Sequence, residues 1–153
     1  MKLNLGCADI LLPDFTNVDV GPPADTIADL TLPWPWETSV VTQVIAHDII
    51  EHLPDRIHTM NELWRVMAAG ARVEIIVPSA SKGAGFAQDP THKSAWCMNS
   101  FQYYQAGSFA VGRLSANYGI TARFNIVEGP VETPYMDAYE EVYKIRVVLE
   151  AVK

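Results

Sequence analysis

Two apolar runs on either side of one helical pattern constrain the fold of this chain more than any other feature. The run "VVTQVIA" at Val40–Ala46 is continuous, as in strands buried on both faces of a parallel sheet. Pro54–Asp55 then opens a helix, and Gly70 is expected to cap its carboxyl end. A second buried strand is predicted at Val73–Val77. Strand, helix and strand with short loops predict a right-handed parallel crossover.

The rest of the chain adds short strands before this unit and two longer strands after it. The last two patterns alternate apolar and polar residues, and the linker between them is too short for a helical crossover, so we expect an antiparallel pair. A helix is expected around residues 100–117. The predicted strands outside the crossover are Lys2–Leu5, Asn17–Val20, Thr26–Leu30, Thr121–Val131 and Val142–Val152. We therefore predict a single α/β domain over residues 1–153, a three-layer fold with about seven strands, mostly parallel with an antiparallel strand at the carboxyl terminus and reduced helices in the first half.

Charge and cysteine usage exclude some classes of function. The 153 residues carry a net charge of −7, which argues against wholesale binding to a phosphate backbone. Residues 66–127 nevertheless carry five basic and two acidic side chains, a net of +3, so an acidic substrate would meet that segment. No apolar run is long enough to cross a bilayer and no signal-peptide pattern precedes the first strand. We expect a cytoplasmic protein, with Cys7 and Cys97 as free thiols.

A glycine and an aspartate close the first two predicted strands. Ligands of open α/β sheets bind at the carboxyl ends of the strands, where a glycine admits the ligand and a carboxylate accepts two ribose hydroxyls. Gly6 holds the first of these positions and Asp19 the second. A dinucleotide site would need further glycines and a long helix, which Pro13 interrupts. Gly6 and Asp19 together favour a binding site for a nucleoside over the alternative that both are ordinary turn residues with no ligand.

A series of short motifs adds a family resemblance. The segments "LNLGCAD", "NVDV", "DTIADL", "WPW", "HDIIEHLPD", "ELWRVMAAGARVEIIVP" and "DPTHKSAW…SFQYY" occur in that order over essentially the whole chain. Together they resemble class I S-adenosylmethionine-dependent methyltransferases. The chain is most similar to short members, often associated with phage or the cell envelope, that have an "EHL" segment after the fourth strand.

The resemblance implies a binding site for S-adenosylmethionine. The turn after the first strand would contact the methionine part, Asp19 would hold the ribose hydroxyls, and Asp29 would accept a hydrogen bond from the adenine amine. His47, at the end of the fourth strand, would line the pocket near the sulfonium. The cofactor-binding residues implied in this way are Asn4, Gly6, Cys7, Ala8, Asp19, Val20, Asp29, Leu30 and His47.

Three positions depart from the family pattern. Asn4 replaces an acidic residue that anchors the cofactor's ammonium group, while Ala8 and Ile10 replace the second and third glycines. We expect Ala8 to keep the turn with a negative φ, and Ile10 to point into the core. No helix is expected before the first strand. Weak cofactor binding, or help from a second subunit, is therefore predicted.

Residues after the fourth strand are candidates for catalysis. Methyl transfer from a sulfonium needs alignment, and it needs a base when the acceptor is a hydroxyl or an amine. Either His47 or His92 is a candidate base, because histidine titrates near neutral pH. Asp48 lies beside His47 in the sequence and completes the predicted catalytic set.

A metal site is the alternative use of the same segment. Asp48, Glu51, His52 and His92 resemble an acid-x-x-Glu-His pattern that binds a divalent metal in some 2′-O-methyltransferases of small RNAs and some quinone-precursor O-methyltransferases. Those enzymes have a glutamate where this chain has Asp48. We favour the simpler interpretation that the "EHL" segment caps and packs the following helix, and we predict no metal.

The predicted function is S-adenosylmethionine-dependent methyl transfer to a small-molecule acceptor, such as a sugar or cell-envelope precursor. A non-catalytic interaction module with the same fold is an alternative. A nucleic-acid methyltransferase is a weaker one, since it rests only on the basic middle segment. Trp34 and Trp36 are expected to cover the adenine side or a subunit contact, which is compatible with a homodimer.

Overall fold

A computed structural model describes the backbone of residues 1–136 and 141–153. Its strands are β1 (Lys2–Leu5), β2 (Thr16–Asp19), β3 (Thr26–Ile27), β4 (Val41–His47), β5 (Met67–Pro78), β6 (Phe124–Met136) and β7 (Glu141–Ala151). Its helices are α1 (Arg56–Val66), α2 (Phe109–Tyr118) and two 3-10 helices at Ile50–His52 and Met98–Tyr104. The helix predicted around 100–117 is thus divided into a 3-10 helix and α2.

The strands form one mixed sheet in the order β3-β2-β1-β4-β5-β7-β6. Strands β1 to β5 pair in parallel, and β7 runs antiparallel to both of its neighbours. The predicted seven-stranded sheet with an antiparallel carboxyl-terminal strand is confirmed. Strand order reverses beside β1, because β2 pairs on one side and β4 on the other. The carboxyl end of β1 is therefore where an open α/β sheet binds ligands.

Loops connect the first four strands. None of the described residues between β1 and β4 is helical, which confirms the predicted reduction of helices. Asn4 and Asn17 lie side by side on the sheet face opposite the core, and the Asn4 amide donates to Ile10 O and to Asn17 Oδ1, each at 2.9 Å. The Leu12 N–H also donates to Asn17 Oδ1, at 2.8 Å. Residues 6–15 therefore lie over this part of the sheet, held by buried amides.

The hydrophobic core lies on the other face of the sheet, against α1. Alternate strand residues are buried there because side chains of a strand point to its two faces in turn. The strand residues of this core include Leu3, Leu5, Val44, Ala46, Val73, Ile75, Val147 and Leu149. Met60 and Leu63 of α1 pack with them. The intervening positions carry polar groups such as Gln43, His47 and Glu74, which remain partly or wholly exposed.

Helix α1 begins where the sequence predicts but ends earlier. The Asp55 carboxylate caps it by accepting the N–H groups of Ile57 and His58, each at 2.9 Å. The cap predicted at Gly70 is wrong, because β5 starts at Met67 directly after the helix. Gly70 has φ +74° and lies in an irregular part of β5, where the register to β4 shifts. The sequence correctly indicated a left-handed residue at Gly70, but that residue forms a β-bulge in β5 and does not cap α1.

The tryptophans of the "WPW" segment hold a loop against α1. Trp34 is only 4% exposed, and its indole N–H donates to Leu30 O at 3.1 Å. Arg65 of α1 donates to the carbonyls of Trp34 and Trp36 at 3.0 and 2.8 Å. The expectation that both rings cover the adenine side or a subunit contact is wrong for Trp34, whose ring is part of the core.

Two further features bear on earlier expectations. Cys7 and Cys97 are both free thiols, as predicted. In the part of the chain that the structure describes, no helix is long and apolar enough to cross a membrane.

Candidate functional site

A cavity of about 300 Å³ opens at the carboxyl ends of β1, β2 and β3. Its size is at the lower end of the range of about 300–1,000 Å³ typical of ligand pockets. It is lined by Gly6, Asp19, Val20, Ala28, Asp29, Leu30, Thr31, Ile49, His52 and Leu53. Five of the nine residues predicted to bind the cofactor therefore meet in one place. We refer to this space as the strand-end cavity.

The turn after β1 is held by backbone hydrogen bonds to one carboxylate. Asp19 accepts the N–H of Ala8 at 2.9 Å and that of Val20 at 2.7 Å. Gly6 has φ +64°, and a Cβ at that position would lie 2.6 Å from Cβ of Ile49. Only glycine fits here, for conformation and for space. The glycine of the motif is thus required by the fold as well as by its place in the cavity wall.

Two expectations about this turn are wrong. Ala8 has φ +43°, a left-handed conformation, where a negative φ was expected. Ile10 is 72% exposed and does not enter the core, because Asn4 binds its carbonyl and turns the chain outward. Neither side chain lines the strand-end cavity.

Asn4 and Cys7 also lie outside the cavity lining. The Asn4 amide is 6% exposed and bonds to the loop and to Asn17, so it organises the turn from the opposite face of the sheet. Cys7 is 3% exposed, and burial raises the pKa of its thiol. Its backbone N–H donates to Val18 O at 3.1 Å, which ties the turn to β2. Both residues hold the turn in place by hydrogen bonds without lining the cavity.

Asp29 presents an ionised carboxylate to the cavity. The hydroxyl of Thr31 donates to its Oδ1 at 2.7 Å and the N–H of Thr31 to the same atom at 2.9 Å. These two bonds lower the pKa of Asp29, and the bond from the hydroxyl has the larger effect. Among the described residues, Oδ2 has no hydrogen-bond donor, so it can accept one from a ligand.

A second cavity, of about 220 Å³, lies beside the first, and we call it the histidine cavity. His52 lines both spaces and so marks where they adjoin. The wall is mostly polar and charged. It is formed by Asp48, Glu51, His52, Pro78, Gly85, Gln88, Asp89, His92, Tyr135, Val142 and Lys144.

Glu51 is the most deeply buried acid of this wall. It is 1% exposed, and neither carboxylate oxygen has a hydrogen-bond partner among the described residues. Burial raises its pKa to about 8. Its backbone carbonyl accepts the N–H groups of Lys93 and Ser94 at 2.7 and 2.9 Å, which joins it to the segment that carries His92. The expectation that the "EHL" segment caps α1 is wrong, since Asp55 is the cap.

The two histidines of the cavity lie against each other and against Glu51. Their ring centroids are 4.9 Å apart. His92 Nε2 lies 3.9 Å from Glu51 Oε1 and 3.6 Å from Asp89 Oδ2. The sequence separates Glu51 from His92 by some forty residues, and the fold brings them together because both follow the carboxyl ends of neighbouring strands.

Of the other two predicted catalytic residues, one lies outside both cavities and one lines the histidine cavity. His47 lines neither of the two described cavities, and its Nε2 is 2.8 Å from Glu74 Oε1 on the polar face of the sheet. Asp48 lines the histidine cavity, where Lys144 of β7 donates to its Oδ2 at 2.6 Å. Lys144 was not predicted, because nothing in the sequence links it to a residue ninety-six positions earlier.

No family model and no curated protein matches this chain. Solved structures do resemble it. A S-adenosylmethionine-dependent methyltransferase from Methanosarcina mazei aligns with 99% of this chain and 92% of its own, at a TM-score of 0.64 and 11% identity. A complex of the Haloferax volcanii Trm112 methyltransferase activator with a putative methyltransferase aligns over 99% and 82%, with the same score and identity. The chain has the class I methyltransferase fold.

The fold has also been adapted to other chemistry. The [4+2]-cyclase SpnF aligns with 99% of this chain and 74% of its own, at a TM-score of 0.63 and 10% identity. At such identities the likeness establishes the methyltransferase fold of this chain and leaves its reaction to be argued from the site.

Proposed function

We propose that this protein transfers the methyl group of S-adenosylmethionine to a small-molecule acceptor. One observation carries the proposal: Asp19 and Asp29, from the ends of two neighbouring strands, line the same cavity as Gly6. This is the position at which an open α/β sheet binds a nucleoside. The geometry of the carboxylates therefore supports the expectation drawn from the motifs.

The strand-end cavity has groups suited to an adenosine. Each oxygen of Asp19 already accepts one backbone N–H, and each has a second lone pair for a ribose hydroxyl. Oδ2 of Asp29 is available to the adenine amine. Val20 and Leu30 offer apolar surface to the base. Among the residues that line the cavity, the acids give it a negative character that suits a sulfonium cation.

The histidine cavity is the proposed place for the acceptor. It adjoins the strand-end cavity at His52, so an acceptor in it lies next to the ligand of the first cavity. When bound, S-adenosylmethionine supplies an electrophilic methyl group on sulfur. The chain's own part is to orient the acceptor, and the polar wall suits a hydroxylated molecule such as a sugar. His92 and Asp48 lie on the acceptor side, where they would position the acceptor, whereas His47 lines neither cavity and has no proposed role.

Isothermal titration with S-adenosylhomocysteine tests the proposal. Asp19→Ala is expected to weaken binding by roughly 10- to 100-fold, since hydrogen bonds to a charged group contribute about 1.5–3 kcal/mol. Asp9→Ala is the matched control. Asp9 is an exposed aspartate of the same turn that does not line the cavity, so its loss leaves affinity unchanged.

Two results would count against the proposal. One is the absence of any heat with wild-type protein at millimolar ligand. The other is equal affinity of the Asp19→Ala and Asp9→Ala variants, which would separate ligand binding from the strand-end cavity.

A further inference from the structure

Three potential metal ligands converge in the histidine cavity. One atom from each of Glu51, His52 and His92 lies within 4.8 Å of the other two. Ligands of a single ion, each about 2.0–2.2 Å from it, are themselves roughly 3–4 Å apart. The cluster is therefore close to the spacing that one ion would impose, with small side-chain movements.

Glu51 lacks the partner that a buried carboxylate needs. Both of its oxygens are shielded from solvent, and no donor among the described residues reaches them. The shortest approach of an imidazole, 3.9 Å from His92 Nε2, is too long for a hydrogen bond. An isolated carboxylate in this position is strongly destabilised, whereas a bound cation would satisfy it. Burial, with smaller contributions from the nearby Asp48 and Asp89 carboxylates, raises its pKa to about 8.

One ring nitrogen of each histidine, Nδ1, is held by hydrogen bonds to the neighbouring backbone or side chain. His92 Nδ1 lies 2.8 Å from Phe86 O, which fixes Nδ1 as the protonated nitrogen and leaves a lone pair on Nε2. His52 Nδ1 lies 3.3 Å from Thr91 O and 3.1 Å from Thr91 Oγ1. Metal-bound histidines have this arrangement, in which a carbonyl orients the ring and sets its tautomer.

Against the prediction from the sequence that no metal binds here, we propose that Glu51, His52 and His92 bind one divalent transition-metal ion. Two imidazoles and one carboxylate favour ions such as Zn²⁺, Co²⁺ or Ni²⁺ over Mg²⁺ and Ca²⁺, which take oxygen ligands. Asp89 can supply a fourth ligand. Its Oδ2 is 3.6 Å from His92 Nε2, while its Oδ1 is held by the hydroxyl and N–H of Thr91.

The location of these residues would give the ion a role in the proposed reaction. His52 lines both cavities, so an ion held by it would lie beside the acceptor space. Such an ion would hold a hydroxyl of the acceptor and make it more acidic. This step depends on the proposed methyl transfer, whereas the binding of the ion does not.

Metal binding by itself is the test. Protein stripped with chelator is titrated with Co²⁺, whose visible absorption reports imidazole and carboxylate ligation, and bound Zn²⁺ is counted by elemental analysis. Wild-type protein is expected to bind one ion. Glu51→Gln keeps the shape of the side chain and removes its charge. It is expected to weaken binding at least 100-fold, since even changes to residues behind the ligands cost about 10- to 100-fold.

His92→Asn is the second variant and His58→Asn the control. Asparagine can keep the bond to Phe86 O, so His92→Asn decides the question should Glu51→Gln fail to fold by circular dichroism. His58 lies on α1, where its Nε2 contacts Leu32 O, outside the cluster. Loss of binding in the two cluster variants and its retention in His58→Asn supports the site. Binding that survives both cluster variants, or no binding by wild-type protein at millimolar Co²⁺ and Zn²⁺, overturns it.

Discussion

Single residues of the turn after β1 set the shape of the strand-end cavity. Ala8 adopts φ +43°, which costs an L-residue about 1–2 kcal/mol. The conformation persists because its N–H donates to Asp19, the carboxylate that lines the cavity. The turn after β1 thus has two left-handed residues, Gly6 and Ala8, of which only one is a glycine. The backbone of Ala8 is strained as a result.

Ala8→Gly is therefore expected to stabilise the protein. Removing the strain contributes more than the about 0.4–1 kcal/mol lost through the greater entropy of glycine in the unfolded chain, for a net gain of about 1 kcal/mol. Urea unfolding measures it. Ala80→Gly is the control, because Ala80 is exposed and has no positive φ, so that change is expected to destabilise. Equal destabilisation by both substitutions would show that Ala8 is not strained.

At the scale of elements, an ion pair within α1, between Glu62 and Arg65, fastens the helix to the preceding loop through hydrogen bonds to its backbone. Glu62 accepts the N–H of Trp34 at 2.7 Å and two bonds from Arg65, which in turn donates to the Trp34 and Trp36 carbonyls. The hydrogen bonds from Arg65 are the main cause of the lowered pKa of Glu62. Loop 28–40 thereby closes one side of the core in place of a helix.

Glu62→Gln should destabilise the protein by about 1–3 kcal/mol at pH 7, because glutamine has no charge and only one acceptor oxygen for the three N–H groups of Trp34 and Arg65 that Glu62 binds. A lowered pKa means that the contribution of Glu62 is complete above its unfolded value near 4.5 and is lost as the pH falls through the folded value. The difference between wild type and variant should therefore shrink below pH 4.5. Glu37→Gln, at an exposed position in the same loop, should show no difference at either pH. A gap that is constant with pH would contradict this account.

The elements also show what the sequence could and could not predict. The crossover from β4 through α1 to β5 was predictable because burial dictates where apolar residues fall in the sequence. They form a continuous run or every second residue in a buried strand, and they recur about every 3.6 residues in a helix. Gly70 was misassigned because a positive φ serves a bulge as well as a helix cap. The apolar character of Trp34 was visible, but whether its ring faces α1 or solvent depends on Glu62 and Arg65, which lie about thirty residues away.

At the scale of the whole molecule, the sheet separates a core face from a polar face. The polar face bears charged networks, such as Arg146 with Glu74 and Glu128, and His47 belongs to this network. The candidate site lies at the carboxyl ends of β1, β2 and β3, and the segment that follows β4 completes its wall. Asp19 and Asp29 could be predicted to meet there because parallel strands end at one edge. The clustering of Glu51 with His92, and of Asp48 with Lys144, could not, because it depends on how loops and β7 pack.

The fold by itself does not determine the reaction, since a cyclase and methyltransferases share it with this chain. A crystal structure of the protein soaked with S-adenosylhomocysteine tests whether the strand-end cavity binds the cofactor. We expect the adenosine in the strand-end cavity, with the ribose hydroxyls on Asp19, the adenine amine on Asp29 and the sulfur directed towards His52. Nucleoside density elsewhere on the protein, or an empty strand-end cavity at saturating ligand, would contradict this expectation.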